Sequence, residues 1–112
     1  MLVGIGVDIV DIVRFKKICK DPGFRLKYFH PNEQETKIES LAARFAAREA
    51  LYKALDKQYL FNWREILVVS EPDGAPKFEF LGALGEYAKD KEFHLSISHS
   101  QNYAVAFVVI EM

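Results

Sequence analysis

The chain has 112 residues, of which 50% are hydrophobic and 28% charged, with 15 basic and 16 acidic side chains. This length predicts one domain, residues 1–112, whose core forms without a structural metal, and a single cysteine excludes an internal disulfide. The net charge of −1 argues against general nucleic-acid binding. Because no apolar run approaches the roughly 20 residues of a membrane span and no signal-peptide pattern is present, we expect a cytoplasmic protein that binds no membrane.

The first third of the chain predicts a strand, a helix and a short aromatic segment. In the strand, Val3–Ile9, the apolar residues alternate with Gly4, Gly6 and Asp8. The face with the glycines would let a ligand approach the backbone closely. Asp11 is placed to cap a helix that runs to about residue 20, where Asp-Pro-Gly ends it.

The rest of the chain predicts a long helix, a hairpin, a weaker helix and a second hairpin, at residues 40–56, 64–70 with 77–80, 81–90, and 93–100 with 103–111. The long helix is rich in alanine and contains no Gly or Pro. Residues 104–110 are continuously apolar, which predicts a strand covered on both faces. This order of elements predicts an α+β fold in which an antiparallel sheet packs against the long helix.

The charges are unevenly distributed along the chain. Residues 14–27 contain six basic side chains and one acidic side chain. Such a run is typical of a solvated helix face, and it is also suited to docking an acidic partner. The sequence leaves both interpretations open.

Two acidic residues occupy positions that favour a function. Asp8 lies at the end of an otherwise apolar strand, on the face that carries the glycines. There it either caps the next helix or faces a ligand. Glu49 projects from the apolar side of the long helix. It either pairs with Lys53 one turn later or binds a cation, because an unpaired carboxylate on an apolar face is costly.

Other polar residues could bind phosphate. Arg44 and Arg48 lie one helical turn apart, which suits a polyanion unless each pairs with an acid such as Glu39 or Asp56. Ser98 and His99 point to opposite faces of a strand, which argues against a Ser-His nucleophile pair. The single cysteine and the scattered histidines do not predict a zinc site.

Three tracts together carry a family resemblance. Residues 4–15 (GIGVDIVDIVRF), 44–55 (RFAAREALYKAL) and 95–111 (LSISHSQNYAVAFVVIE) resemble the bacterial holo-acyl-carrier-protein synthases, which are small 4′-phosphopantetheinyl transferases. Residues 73–80 (DGAPKFEF) resemble the turn and strand that follow in that family, and residues 27–35 its short Thr-x-x-Glu segment. The resemblance implies the 4′-phosphopantetheinyl transferase fold and a role in fatty acid biosynthesis.

The resemblance also implies an activity and residue roles. Enzymes of this family move the phosphopantetheine arm of coenzyme A onto a serine of apo acyl carrier protein and release adenosine 3′,5′-bisphosphate. By the resemblance, Asp8 and Glu49 bind Mg²⁺, Glu49 takes the serine proton, and Lys53 stabilises the departing phosphate. Four further residues would contact the phosphates of coenzyme A: Arg44, Arg48, Ser98 and His99.

Partner contacts and assembly follow from the same resemblance. The basic residues Arg14, Lys17 and Arg25 would face the acidic carrier protein, and the family implies a homotrimer with active sites between subunits. The sequence departs from the family pattern at residues 56–58, where Asp-Lys-Gln replaces Gly-Thr-Gly, and at Arg48, which replaces a lysine. The first departure leaves a non-catalytic coenzyme A or nucleotide-binding subunit as one alternative, and a basic protein-docking module that needs neither metal nor coenzyme A is a second.

Overall fold

A three-stranded antiparallel sheet and a long helix form the centre of the structure, a computed structural model that describes residues 1–33, 37–55 and 62–112. Among these residues, no helix has both the length and the apolar character needed to cross a membrane. In chain order the elements are β1 (Leu2–Asp11), α1 (Ile12–Ile18), α2 (Pro22–Tyr28), α3 (Ile38–Ala54), β2 (Ile66–Ser70), β3 (Pro76–Phe80), α4 (Gly82–Ala88), β4 (Glu92–His99) and β5 (Tyr103–Glu111), with 3-10 turns at Pro31–Glu33 and Trp63–Glu65.

The sheets confirm the α+β prediction. The larger sheet has the order β1-β5-β4, and β2 and β3 form a separate antiparallel pair. Strand β5 has the predicted bounds, whereas β2 starts two residues later than predicted. A 3-10 turn precedes β2 because the side chain of Asn62 accepts from the backbone N–H of Arg64, while the Glu65 carboxylate accepts from the N–H of Asn62.

Helix α3 lies directly against β1, and two glycines make this close approach possible. A Cβ atom at Gly4 would clash with the carbonyl oxygen of Ala54, and one at Gly6 would clash with that of Ala50. The glycine face of β1 therefore contacts the protein's own helix. The expectation that this face admits a ligand to the backbone is wrong for both glycines.

The two faces of the larger sheet have different environments. Ala104, Ala106, Val108 and Ile110 of β5 are buried on the side of α3, as alternation along a strand requires. The opposite face is open in the single chain. The side chains of Val3, Ile5, Val7 and Ile9 of β1 and of Phe107 of β5 lie on this face and are between 41% and 62% exposed. One chain therefore covers only one of the two faces that the apolar sequence of β5 predicts to be covered.

The short helices α1 and α2 hold an aromatic cluster against α3. As predicted, Asp11 caps α1 by accepting from the backbone N–H of Arg14 at 3.1 Å. Asp21 caps α2 in the same way, with Pro22 in the first turn, so the Asp-Pro-Gly segment both ends one helix and starts the next. The rings that pack together are those of Phe15, Phe24, Tyr28, Phe29 and Phe45.

Candidate active site

Asp8 and Glu49, 41 positions apart in the sequence, line one cleft of about 380 Å³. Strand β1 positions Asp8 near its end, and α3 presents Glu49 beside it. The walls of the cleft are largely apolar and come from β1, α1 and α3, including Phe15 and Phe45. The fold therefore brings the two acidic residues together in a partly enclosed space.

The electrostatics of this cleft favour a cation. Burial raises the pKa of the Glu49 carboxyl, the negative charge of Asp8 raises it further, and Lys53 acts in the opposite direction. Within the described residues, Glu49 has no hydrogen bond or ion pair that satisfies its carboxylate. Removing the solvation of one carboxylate beside another is costly, so a bound cation would be stabilised here.

Lys53 pairs with Asp8 and not with Glu49. Its Nζ lies 3.0 Å from Oδ1 of Asp8 and donates to the carbonyl oxygen of Val7 at 3.1 Å. The Glu49–Lys53 pair that the helical spacing allows is not formed. Since Asp11 caps α1, Asp8 is not needed as a helix cap either, and its carboxylate faces the cleft with a partly exposed ammonium group.

The structure does not support the assignment of Arg48 to coenzyme A. The side chain is completely buried, and its guanidinium donates to the carboxylate of Glu33 and to the carbonyl oxygen of Ile66, the latter at 2.6 Å. Burial lowers the pKa of Arg48, and the adjacent carboxylate opposes that effect by stabilising the charge. A phosphate cannot reach this group without disrupting the core, so Arg48 has a structural role.

Glu33 is a buried residue that the sequence reasoning missed. Besides Arg48, it pairs with Arg44 at 3.4 Å and accepts from the backbone N–H of His30 at 3.1 Å. The three-residue spacing from His30 is that of a capping box, which is the signal that could have identified it. Arg44 and Arg48 thus both pair with Glu33. The sequence suggested Glu39 or Asp56 as their acidic partners. Asp56 itself lies outside the described residues.

Arg44 and His99 line a second cleft, of about 270 Å³, together with Ser70. This cleft lies between α3, β2 and β4, whereas Asp8 and Glu49 lie on the β1 side of α3. Strand β5 separates β1 from β4, so the two clefts lie over different strands of the larger sheet. Ser98 points to the opposite, open face of the sheet, as the alternation predicts.

Of the three basic residues predicted to contact a partner, only Arg14 lies at the first cleft. Arg14 lines it directly, and both Arg14 and Lys17 are exposed. Arg25 is half-buried and hydrogen-bonds to the Cys19 thiol. Burial raises the pKa of this thiol, and Arg25 opposes the effect only in part. Arg14 is therefore the best placed of the three to contact a molecule that enters between Asp8 and Glu49.

Comparison with known proteins identifies the family. The family model described as "4′-phosphopantetheinyl transferase superfamily" matches residues 4–108 of the chain. The chain belongs to this superfamily. The predicted resemblance is therefore confirmed.

Relatives and solved structures of the superfamily match over nearly the full chain. A holo-[acyl-carrier-protein] synthase of Clavibacter sepedonicus is 43% identical over 99% of this chain and 97% of that protein. The crystal structure of a Neisseria meningitidis holo-[acyl-carrier-protein] synthase matches with a TM-score of 0.89 at 31% identity, covering 100% of both chains. A synthase–coenzyme A complex from Chronobacterium ammoniagenes matches with a TM-score of 0.81 at 30% identity, covering 96% of this chain and 95% of that one.

The main departure from the superfamily pattern, Asp-Lys-Gln at residues 56–58, lies outside the described residues. The residues that precede it, at the end of α3, are described and include Lys53.

Proposed function

We propose that the chain transfers 4′-phosphopantetheine from coenzyme A to a serine of apo acyl carrier protein and releases adenosine 3′,5′-bisphosphate. Membership of the superfamily and the 43% identity to a holo-[acyl-carrier-protein] synthase support this activity. The observation that carries the proposal is the cleft that Asp8 and Glu49 line together, with Lys53 ion-paired to Asp8. A role in fatty acid biosynthesis and a cytoplasmic location follow from the same activity.

Asp8 and Glu49 are the proposed ligands of Mg²⁺. The fit rests on the donor set, because Mg²⁺ selects oxygen ligands and is usually held by one or two carboxylates together with substrate phosphates. The unsatisfied carboxylate of Glu49 beside a second acid is the arrangement that a dication would neutralise. When bound, the ion supplies positive charge to the pyrophosphate of coenzyme A.

The reaction then needs two actions from the side chains of this chain, one by Glu49 and one by Lys53. A carboxylate oxygen of Glu49 accepts the proton of the carrier-protein serine, whose Oγ attacks the phosphorus that carries pantetheine. The bond from this phosphorus to the bridging oxygen breaks, and the electron pair leaves with adenosine 3′,5′-bisphosphate. Lys53 Nζ, which donates to Asp8 in the present structure, donates to the phosphate oxygens as negative charge develops. The raised pKa of Glu49 suits a proton acceptor.

Arg44 and His99 are proposed to bind a phosphate group of coenzyme A, and Ser98 is left out of this set because it points to the opposite face of β4. The first two share one cleft, and Arg44 keeps about a quarter of its side chain exposed although it pairs with Glu33. A guanidinium and an imidazole side by side suit a phosphate. Arg48 is left out of this set because it is buried.

A homotrimer is proposed as the working form of the enzyme. The open sheet face exposes Val3, Ile5, Val7, Ile9 and Phe107, a contiguous apolar surface of the kind that marks a protein interface. The acidic cleft and the Arg44–His99 cleft lie on opposite sides of α3. In the proposed trimer, the acidic cleft of one copy and the Arg44–His99 cleft of a neighbouring copy would contact the same coenzyme A molecule. Such an arrangement would also cover the second face of β5.

Acyl carrier protein is the proposed macromolecular partner. Arg14 on α1 lines the cleft that receives the serine, and Lys17 on the same helix and Arg25 on α2 are proposed to extend this positive charge toward the carrier protein. Complementary charge on an acidic partner would accelerate association and set its orientation. Nucleic acid is not an expected partner, since the net charge of the chain is −1.

We propose one domain for the 112 residues, because α3 packs against β1, β4 and β5.

The activity is tested by incubating the protein with Mg²⁺, coenzyme A and apo acyl carrier protein and measuring the intact mass of the carrier protein. We expect the carrier protein to gain the mass of one phosphopantetheine group. A gain that is absent with several carrier proteins, while coenzyme A still binds, would favour a non-catalytic subunit. Binding of carrier protein without any requirement for coenzyme A or metal would favour a docking module.

A further inference from the structure

A second group of metal-ligand side chains lies on the open face of the larger sheet, opposite α3. Glu92 and His94 are two residues apart on β4, so their side chains lie on the same face. Glu111 of β5 is the direct cross-strand partner of Glu92. One carboxylate oxygen from each glutamate and one ring nitrogen of the histidine all lie within 4.8 Å of one another.

The distances in this group are compatible with a shared ion. Nε2 of His94 lies 2.7 Å from a carboxylate oxygen of Glu111 and 3.8 Å from one of Glu92. A metal ion with bonds of about 2.0–2.2 Å separates neighbouring ligand atoms by about 3–3.5 Å. The observed spacings fall on either side of this range, so small rotations of exposed side chains are sufficient to bring the three ligands to one ion.

The charges of the group also favour a cation. Glu92 and Glu111 place like charges directly opposite each other on neighbouring strands, which is destabilising. In the part of the chain that the structure describes, neither glutamate forms an ion pair with a lysine or an arginine, and both lie next to the imidazole ring of His94. A dication would supply the missing positive charge.

We propose that Glu92, His94 and Glu111 bind a divalent transition-metal ion such as Zn²⁺, with water completing the coordination. An imidazole nitrogen with two carboxylates suits Zn²⁺ and Co²⁺, whereas Mg²⁺ selects oxygen ligands. The site therefore differs in metal preference from the acidic pair Asp8 and Glu49. A bound ion would join the start of β4 to the end of β5.

The test is calorimetric titration of the full chain with Zn²⁺, and with Co²⁺ for its visible spectrum, in the presence of excess Mg²⁺ to occupy sites that select oxygen. The variants are His94→Ala and Glu111→Gln. A matched control is Glu79→Gln, which removes an exposed strand glutamate outside the group. Far-UV circular dichroism checks that each variant is folded.

We expect wild-type protein and the Glu79 variant to bind about one ion per chain, with a Co²⁺ spectrum typical of nitrogen ligation. Each variant of the group should weaken binding at least about tenfold. The melting temperature of the wild type should rise with Zn²⁺ and that of the His94 variant should not. An absence of binding under excess Mg²⁺, or equal affinity in wild type and the His94 variant, would overturn the proposal.

Discussion

Replacing Arg48 by methionine should destabilise the protein strongly while leaving the two clefts formed. Methionine keeps much of the length of the side chain and removes the charge and the donors. The guanidinium is completely buried and contacts the carboxylate of Glu33, which is itself 2% exposed, and the carbonyl oxygen of Ile66. The variant would leave a carboxylate and a carbonyl oxygen in the core without their donor.

The magnitude follows from that geometry. Truncating one member of a buried ion pair costs about 3–5 kcal/mol because the remaining charge is uncompensated. Arg44 stays 3.4 Å from Glu33 and offsets part of this cost, so we expect the lower end, about 3 kcal/mol. In a domain of this size each kcal/mol shifts the melting temperature by roughly 4–6 °C, so the fall should be roughly 10–20 °C.

The assay is urea unfolding of the metal-free protein, supported by thermal melts. The control Arg44→Met, one turn away on the same helix and partly exposed, should cost less than half as much. The double variant Glu33→Leu with Arg48→Met should recover much of the loss, since it removes both buried charges. A loss below about 1 kcal/mol for Arg48→Met, together with a raised KM for coenzyme A, would refute the structural role of Arg48.

Three further predictions concern the cleft and its surroundings. Glu49→Gln should reduce transfer at least about 100-fold without lowering the melting temperature of the metal-free protein at pH 7. Because burial and Asp8 raise the pKa of Glu49 in the folded state, its ionised carboxylate destabilises the folded protein as the pH rises above the pKa of the unfolded chain. Melts at pH 4 and pH 7 should therefore show a higher melting temperature for the variant than for the wild type only at pH 7. A variant that melts well below wild type at pH 7 would contradict this. Gly6→Ala should cost about 1–3 kcal/mol in urea unfolding, since the added Cβ meets the carbonyl of Ala50; an unchanged midpoint would show that α3 can move away. Arg14→Glu should raise KM for acyl carrier protein and flatten its salt dependence, with little change in KM for coenzyme A, and an equal rise in both would argue against a docking role.

Much of the local structure could be predicted from the sequence because it depends on short-range rules. The continuously apolar run of β5 and the alanine-rich composition of α3 placed these elements within two residues of their observed bounds. Asp11 was identified as the cap of α1 from its position alone. The same periodicity put Glu49 on the apolar side of α3, and the three sequence tracts identified the superfamily.

The tertiary structure decided which residues of similar chemistry face a cleft and which face the core. Arg44 and Arg48 look equivalent at one-turn spacing, and both pair with Glu33, yet only Arg48 is buried, where it also donates to the carbonyl oxygen of Ile66. Helical spacing allowed Lys53 to pair with Glu49, but β1 packs against α3 and Lys53 pairs with Asp8 of that strand instead. The sequence by itself predicted the elements and singled out Asp8 and Glu49 individually, since each of these predictions depends on neighbours a few residues apart. The pairing of strands and the packing of α3 determined the partners, since those contacts join residues up to 111 positions apart.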